Sequence, residues 1–518
     1  MELKKYVMQS KKAGKQVTNQ FMLDDDFNVP DQKPDVKRIV LAEGELKIEE
    51  IKRVENYLRL SGKFVFQVLY ITDEGEERMA SLEGHLPFDE MVYTEGEEGH
   101  FQIQDLKTEF SVMMVHSRKL SMKAMIDIAL APINASEEEI TVGLEEEENF
   151  CQQRQHAEFL QMQNNKKDTY RIKEEITIPG TKENIGNILW SDIKNHKLDT
   201  RLSEDALFIQ GELLAFCFYE SMEGKLDWIE KSIPYEGRVE CAGASDEMFH
   251  HVEAQLEDVN VDIRMDEDGE ARILGIEGTL SLKIAVYKEE PVEYLNDVYA
   301  LHKKCIVERQ EKTFSQMVMQ NHSKCKIAES VPVPELKDKI LQICHSSGRL
   351  ALERMERVDG GILVEGTLHI NFLYVKQDDE IPFDIWQGMV PFSHLIECND
   401  MDGEVEFDVS DLIEQLNINL LGSDETEVKA VLAFRCFVRR PVKLDVITEV
   451  TTEDYTKEEM EMRPGITGYI VKQGDQLWDL AKRYGTTVET IKEMNDVGER
   501  EIKEGDKLLI FKESMSIL

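Results

Sequence analysis

The chain has 518 residues, of which 103 are acidic and 61 basic, so its formal net charge is −42. A chain of this length exceeds one hydrophobic core and predicts about three to five domains. The acidic excess argues against nucleic acid or an anionic membrane as the main partner, because phosphate-binding surfaces need clustered Lys and Arg. The N-terminal lysines are not followed by an apolar run, and no run of about eighteen apolar residues occurs, so we expect neither a secretory signal peptide nor a transmembrane helix.

Eight cysteines are scattered along the chain without a C-x-x-C pair. They are Cys151, Cys217, Cys241, Cys305, Cys325, Cys344, Cys398 and Cys436. Several lie in apolar runs, as Cys217 does in LLAFCFY. Buried, reduced thiols of a cytosolic protein are the favoured interpretation, and a zinc site or a set of disulfides is the alternative.

A threefold repeat organises most of the chain. A Val-Pro or Ile-Pro pair precedes a glycine by 32 residues three times, at Gly62, Gly211 and Gly366. The residues two, four, six and eight positions after each glycine are apolar, which predicts a strand with one face on a core. These residues are Phe64, Phe66, Val68 and Tyr70; Leu213, Ala215, Cys217 and Tyr219; and Leu368, Ile370, Phe372 and Tyr374. A Pro-Phe or Pro-Tyr pair follows 23 to 25 residues after each glycine.

The segment between each proline and its glycine predicts a short helix. Apolar residues six, nine and ten positions after the proline would share one helical face. They are Val36, Ile39 and Val40; Ile185, Ile188 and Leu189; and Ile340, Ile343 and Cys344. The acidic runs 137–139 and 145–148 indicate solvated linker. The run 266–269 predicts a hairpin turn, because Arg264 stands where a calcium loop needs its first ligand.

We therefore expect β-rich repeat domains at residues 1–135, 150–292 and 303–445. Residues 451–468 are polar, contain a Pro-Gly pair and are expected to form a linker. Residues 469–512 show the pattern strand, helix, helix, strand. In this last domain, Asp475 is placed to cap the first helix, Gly485 to end it, and Thr486 with Glu489 to form a capping box for the second helix.

The residues of this last segment resemble a LysM domain, a carbohydrate-binding module. The matching motif is Tyr469-x-Val471-x-x-Gly474-Asp475-x-Leu477-Trp478-x-x-Ala481, followed by Tyr484-Gly485-Thr486-Thr487 and Asn495. In that family, N-acetylglucosamine chains lie between the loop after the first strand and the loop after the second helix. The resemblance therefore implies a partner- or glycan-binding groove formed by Gly474, Asp475, Gln476, Leu477, Trp478, Asn495, Asp496, Val497 and Ile502.

Two departures from the family pattern weaken the sugar interpretation. This chain has Gln476 where the family usually has Thr or Ser, and its second loop, usually rich in Asn and Pro, is the charged segment 498–501. Trp478 and Tyr484 fit the core of the domain, and a ligand or partner surface is the alternative interpretation of both.

The three repeats, each with the V/I-P start, the G-x6-(L/F)-Y strand and the P-(F/Y) step, resemble the SPOCS (spore coat–associated) domain. With one LysM domain after them, the architecture resembles spore coat morphogenetic proteins. We expect an α+β, mainly β, fold of three tandem β-rich repeat domains followed by a small βααβ LysM domain. The resemblance implies a mother-cell cytoplasmic adaptor at the forespore surface that binds the basement-layer ATPase SpoIVA of the coat.

Motifs for chemistry are missing from the sequence. No P-loop, H-E-x-x-H or G-x-S-x-G motif occurs, and the twelve histidines show no ligand spacing. The sequence therefore predicts no enzyme, with no catalytic residue, metal or cofactor. Two hypotheses remain, an adaptor whose LysM domain binds SpoIVA and a peptidoglycan-binding protein of the spore cortex or cell wall. The expected lack of an export signal favours the adaptor.

Overall fold

The computed structural model describes residues 1–73, 78–145, 150–336, 340–377, 383–422, 424–456, 458–459, 465–498 and 500–512. Most of these residues lie in antiparallel strands, so the fold is mainly β. Three similar units follow one another, and a small domain with two short helices follows them. Each unit has two sheets. The three-stranded sheet that contacts the corresponding sheets of the other units is called here the inner sheet, and the other is called the outer sheet.

The first unit comprises β1 (Leu3–Ala13), β2 (Val17–Asn28), β3 (Val36–Val54), β4 (Tyr57–Thr72), β5 (Met79–Tyr93), β6 (Phe101–His116) and β7 (Lys119–Leu144). The second comprises β8 (Phe150–Thr177), β9 (Ile185–Ser203), β10 (Ala206–Ser221), β11 (Leu226–Glu240), β12 (Phe249–Met265) and β13 (Ala271–Ala300). The third comprises β14 (Lys303–Pro332), a 3-10 turn (Pro334–Leu336), β15 (Ile340–Val358), β16 (Gly361–Lys376), β17 (Phe383–Glu397), β18 (Glu406–Leu420) and β19 (Glu425–Asp454). The inner sheets are β3-β4-β5, β9-β10-β11 and β15-β16-β17, and the central strands of the outer sheets are β7, β13 and β19.

Each unit is a sandwich of its two sheets around one core. The apolar residues predicted from the glycine spacing lie on β4, β10 and β16, and all of them are buried. They pack against apolar side chains of the outer sheet of the same unit. The alternation that the sequence predicts is therefore confirmed. The turn 266–269 also joins two paired strands, β12 and β13, as predicted.

The repeated glycine is required by a close approach of two strands. A Cβ atom at Gly62, Gly211 or Gly366 would lie 2.1, 2.2 or 2.4 Å from a backbone oxygen of the neighbouring strand. Real Cβ atoms do not come so close to backbone oxygen, so only glycine lets the first two strands of each inner sheet pair at this point.

The predicted helices after each proline are wrong, because these residues begin strands β3, β9 and β15. The pairing register shifts between Val36 and Arg38 and again between Ile39 and Leu41, and equivalent shifts occur in β9 and β15. Each such β-bulge adds one residue and moves the following side chains to the other face. Two bulges thus reproduce, in a strand, the apolar spacing that is typical of a helix.

The acidic run 137–139, which we expected to be solvated linker, lies in a strand. Residues 137–139 of β7 pair with Val7, Met8 and Gln9 of β1. The second run falls on 145–148, of which 146–148 lie outside the described residues. The predicted linker 451–468 is partly strand in the structure, since β19 extends to Asp454 and the next strand begins at Ile466. Residues 457 and 460–464 of the predicted linker are not described.

Two-stranded extensions of the outer sheets, called here the arms, pack together away from the inner sheets. They are formed by β1 with the end of β7, by the start of β8 with the end of β13, and by the start of β14 with the end of β19. Their shared apolar cores include Met8, Ile140, Phe159, Val292, Phe314 and Val446, and, farther along, Leu144, Val298 and Val450. The three units therefore close around one axis instead of forming a linear string.

The inner sheets meet on the same axis through the faces that point away from the sandwich cores. Leu69, Phe218 and Leu373 stand at the same position of the three repeats, and they are buried in one cluster between the units. Next to them lies a group of polar side chains, called here the central polar cluster, which is formed by Glu43, Asp192, Lys194, Glu230, His345, Ser347 and Asn371.

His345 connects the second and third units within this cluster. One imidazole nitrogen lies 3.1 Å from Asp192, the other lies 2.6 Å from Glu230, and the ring stacks on Phe216 at a centroid distance of 4.0 Å. Burial opposes protonation of this imidazole, but the hydrogen bonds to Asp192 and Glu230 outweigh it, so the pKa of His345 is raised. Ser347 donates a further hydrogen bond of 2.9 Å to Asp192.

Candidate functional site

The C-terminal domain consists of β20 (Ile466–Ile470), α1 (Leu477–Tyr484), α2 (Val488–Met494) and β21 (Lys507–Phe511). β20 pairs antiparallel with β21, so the order strand, helix, helix, strand follows the sequence expectation. Its core contains Val471, Leu480, Ala481, Ile491, Val497, Leu508 and Ile510. Gly485 ends α1 in the left-handed conformation, with φ of 68°, as predicted.

Two predicted helix caps are wrong. Gln476, not Asp475, is the N-cap of α1, and its side chain makes no capping hydrogen bond. Asp475 instead accepts hydrogen bonds of 2.8 Å from the backbone N–H of Lys472 and from the hydroxyl of Tyr469, so it closes the turn after β20. The N-cap of α2 is Thr487, one residue later than predicted; its hydroxyl accepts from Thr490 N–H, and Glu489 plays no part in a capping box.

The predicted groove residues fall into three groups by their exposure in the structure. Gly474, Gln476 and Asp496 are exposed, and Asp475, Leu477, Trp478, Asn495 and Ile502 are partly buried, whereas Val497 is 3% exposed and belongs to the core. Leu477, Val497 and Ile502 share one apolar cluster, so the two predicted loops do come together. Residue 499 of the second loop lies outside the described part of the chain.

Asn495 uses its side-chain amide to hold the domain together. The amide nitrogen donates to the carbonyls of Ile491, at 2.8 Å, and Leu509, at 2.9 Å. Its oxygen accepts a hydrogen bond of 2.6 Å from Leu509 N–H. The side chain thus ties the end of α2 to the outer edge of β21, and both of its polar atoms are already engaged.

Trp478 is bound by another part of the same chain. Its indole Nε1 donates a hydrogen bond of 2.8 Å to Asp297, a residue near the end of β13. Its ring meets Tyr299 edge to face at a centroid distance of 4.9 Å. Trp478 therefore belongs neither wholly to the core of its own domain nor to a free surface, the two interpretations that the sequence left open.

Asp297 and Tyr299 form the centre of a contact between α1 and the arms. The Asp297 carboxylate accepts two hydrogen bonds from Lys482 Nζ, at 2.7 and 2.8 Å, and lies 3.3 Å from Arg309. The Tyr299 hydroxyl donates a buried hydrogen bond of 2.7 Å to the Thr486 carbonyl. Burial of Asp297 opposes its ionisation, but the hydrogen bonds from Lys482 and Trp478 outweigh it, so the pKa of Asp297 is lowered.

The sequence does not reveal this contact, because Asp297 and Tyr299 lie between the predicted repeat domains 150–292 and 303–445 and belong to neither. The register of β13 shifts between Leu295 and Asp297, which leaves Asn296 as a bulge residue. A bulge re-aims the side chains that follow it, and Asp297 and Tyr299 thereby face the C-terminal domain. The apolar residues of EPVEYLNDVYAL are a signal for a strand here, although their spacing is irregular.

Comparison with protein families matches both parts of this architecture. The model described as "SipL, SPOCS domain" matches residues 35–116, 184–264 and 339–421, which span the inner sheets and the strand after each of them. The LysM domain model matches residues 469–511. The chain therefore contains three SPOCS domains in tandem and one C-terminal LysM domain. Sporulation is the setting that the SipL family indicates, and neither SPOCS nor LysM domains are catalytic families. No curated protein and no solved structure matches the chain.

Three further features bear on the function of this SPOCS and LysM protein. All eight cysteines are free thiols, and six of them are buried. Within the described ranges, no cluster of three or more His, Cys, Asp or Glu side chains is placed to hold a metal ion. None of the helices in the described part of the chain has the length and apolar character needed to cross a membrane.

Proposed function

We propose that this chain is a non-enzymatic sporulation adaptor that binds the coat basement-layer ATPase SpoIVA through its LysM domain. In this proposal it acts in the mother-cell cytoplasm and helps to localise the coat around the forespore. The three matches to the SPOCS domain of the SipL family support the sporulation setting. The choice of SpoIVA rests on the resemblance to coat morphogenetic proteins, and the choice of the LysM surface rests on the geometry described above.

The observation that carries the proposal is the docking of Trp478 on Asp297. An indole that is held edge to face by Tyr299 and hydrogen-bonded to a carboxylate has both its ring and its N–H engaged within the chain. The docking joins the LysM domain to a large acidic body and leaves Gly474, Gln476 and Asp496 exposed. A domain fixed in this way presents one defined surface to a partner, which suits an adaptor protein.

Peptidoglycan binding is the competing function, and the side chains available for it are few. The amide of Asn495 is engaged by Ile491 and Leu509, and Val497 is buried. The remaining loop carries Arg500, which pairs with Asp506 at 2.7 Å, and the exposed Glu501. Charged side chains of this kind fit a protein surface with complementary charge better than a neutral sugar chain.

The test compares the full chain with a chain that ends at Asp454, the last residue of β19. The shortened chain should not end earlier in β19, for example at Val450. Val450 is buried in the arms, and its carbonyl accepts a hydrogen bond of 2.9 Å from the N-terminal amine. We expect purified, immobilised SpoIVA to capture the full chain and to lose the shortened one. Retention of the full chain on purified peptidoglycan at moderate salt, without capture by SpoIVA, would establish the competing function instead.

A further inference from the structure

The two edges of the small LysM sheet differ in how they are closed. On β21, the N–H and C=O of Leu509 point outward, and the Asn495 amide bonds to both of them. The side chain of Asn495 therefore takes the place of a neighbouring strand on that edge. β20 has no second neighbour, since the sheet formed by the described residues contains β20 and β21 alone.

The register shows which backbone groups of β20 are open. Val471 N–H donates to Asp506 and Lys512 N–H donates to Gly465, so the odd-numbered residues of this strand face β21. In an antiparallel pair, the alternate residues direct their N–H and C=O groups away from the partner strand. Ile466, Gly468 and Ile470 therefore present unpaired backbone donors and acceptors along the outer edge.

The side chains of the same residues make this edge apolar and flat. Ile466 is 60% exposed and Ile470 is 61% exposed, and Leu509 on the same face is 44% exposed. A Cβ atom at Gly468 would meet no atom within 4 Å, so there is open space between the two isoleucines. Natural proteins usually protect such an edge with a charged residue, a proline or a bulge, and the strand ITGYI has none of these.

One lysine lies at the end of this face. Lys507 stands opposite Ile470, so its side chain is on the same face as the two isoleucines. It makes no salt bridge with any residue that the structure describes, in a chain whose net charge is −42. The face is thus apolar in the middle and positive at the Ile470 end, which is complementary to a segment with acidic residues at one end.

We propose that the open edge of β20 binds an extended segment of a partner protein as an added β-strand, with alternating apolar residues and acidic residues at the end that lies beside Lys507. This inference rests on the proposed function and names the kind of partner segment that the LysM domain takes. Backbone hydrogen bonds to Ile466, Gly468 and Ile470 supply the attachment, and the two isoleucines select the side chains. The exposed loop at Gly474 and Gln476 follows this strand within a few residues, so the edge lies beside the surface assigned to the partner.

The test uses the full chain and a synthetic peptide of about nine residues, in which alternating Val and Thr are flanked by two Glu at each end. We expect it to bind at least about tenfold more tightly than the same peptide flanked by Lys. The double substitution Ile466→Glu with Ile470→Glu should abolish binding of the acid-flanked peptide, because it removes both apolar side chains and adds repelling charge. Leu341→Glu, at a strand residue that is 56% exposed in another unit, should bind as the unaltered chain does.

Amide hydrogen exchange gives a second measurement that needs no substitution. Binding of the acid-flanked peptide should slow exchange at Gly468 and Ile470, whose N–H groups point outward, and leave exchange at Leu509 unchanged. Equal binding of the two peptides, absence of binding, or protection only elsewhere in the chain would overturn the inference.

Capture by SpoIVA separates this inference from the proposed function. If the double variant is captured by SpoIVA as well as the unaltered chain is, the β20 edge is not the partner site, and the inference is overturned while the proposed function stands. If SpoIVA does not capture even the unaltered chain, the proposed function fails, and the peptide comparison still decides the inference by itself.

Discussion

Asp297 and Trp478 are 181 residues apart in the chain, yet the Trp478 indole donates a hydrogen bond of 2.8 Å to the Asp297 carboxylate. Lys482, one helical turn after Trp478, donates to the same carboxylate. Hydrogen bonds to an ionised acceptor are stronger than those between neutral groups. This contact fixes the LysM domain to the arms of the three SPOCS units.

Asp297→Ala should release the LysM domain from the arms without unfolding either part. Loss of a hydrogen bond to a charged group costs about 1.5–3 kcal/mol. The equilibrium between the docked and the undocked LysM domain should therefore shift strongly toward the undocked state. Trp478 emission should shift to the red, and a Trp478→Phe background should lack this shift. Asp445→Ala, at an exposed position of the same arms, is the control and should leave the emission unchanged.

The docking should resist mild acid and fail only in strong acid. The lowered pKa of Asp297 means that the folded state binds its proton less readily than the unfolded state does. The resulting stability is present above the ordinary carboxyl pKa of about 4 and is lost as pH falls through the lowered value. Trp478 emission should therefore be constant from about pH 8 to 5 and change below about 4. A transition near neutral pH would contradict this assignment.

Substitution of Asp192 in the central polar cluster should strongly destabilise the folded chain. Removing one partner of a buried, paired charge leaves the others uncompensated and typically costs about 3–5 kcal/mol. Asp192→Ala should lower the free energy of unfolding by that order in chemical denaturation. Asp89→Ala is the matched control, because Asp89 pairs with Arg59 on the exposed surface, where such pairs contribute about 0–1 kcal/mol. Equal decreases in the free energy of unfolding in the two variants would show that the buried cluster stabilises the fold no more than an exposed ion pair does.

His250, which lies between the second and third units, should make the free energy of unfolding of the three units decrease in moderate acid. Burial lowers the pKa of His250 to about 4, with smaller contributions from the nearby His322, His251 and Arg435, although the hydrogen bond with Thr200 raises it. A histidine with a lowered pKa contributes stability above its ordinary pKa of about 6.5, and that stability is lost as pH falls toward 4. One proton changes the free energy of unfolding by at most about 1.4 kcal/mol per pH unit. The slope between pH 6.5 and 4 should decrease in His250→Gln, whereas His85→Gln in β5 of the first unit should keep it.

The sequence predicted the parts of the fold that local patterns determine. The strand after each repeat glycine and the LysM domain follow from periodicity, turn residues and caps of the kind found around Gly485. The segments with bulges were misassigned, since the spacing of Val36, Ile39 and Val40 is the same for a helix face and for a strand with two bulges. Only the pairing with β4 distinguishes the two, and pairing depends on residues far away in the chain.

The candidate site was predicted less completely, for a similar reason. Leu477, Val497 and Ile502 meet in one apolar cluster, but the role of Trp478 depends on Asp297, which no local pattern connects with it. The inner faces of the repeats gave no signal either, because Asn371 and Glu43 are ordinary polar residues until a second unit covers them. Contacts between repeats are set by the closure of three units around one axis.

The most direct test of the adaptor account is a calorimetric titration of purified SpoIVA into the full chain and into its Gln476→Arg variant. Gln476 is exposed at the start of α1, makes no capping hydrogen bond and can be replaced without disturbing the core. We predict binding to the unaltered chain, a loss of at least about tenfold in Gln476→Arg, and no loss in Glu489→Arg on the exposed side of α2. Unchanged affinity in Gln476→Arg, or no heat of binding to the unaltered chain, would contradict the claim that this LysM surface binds the ATPase.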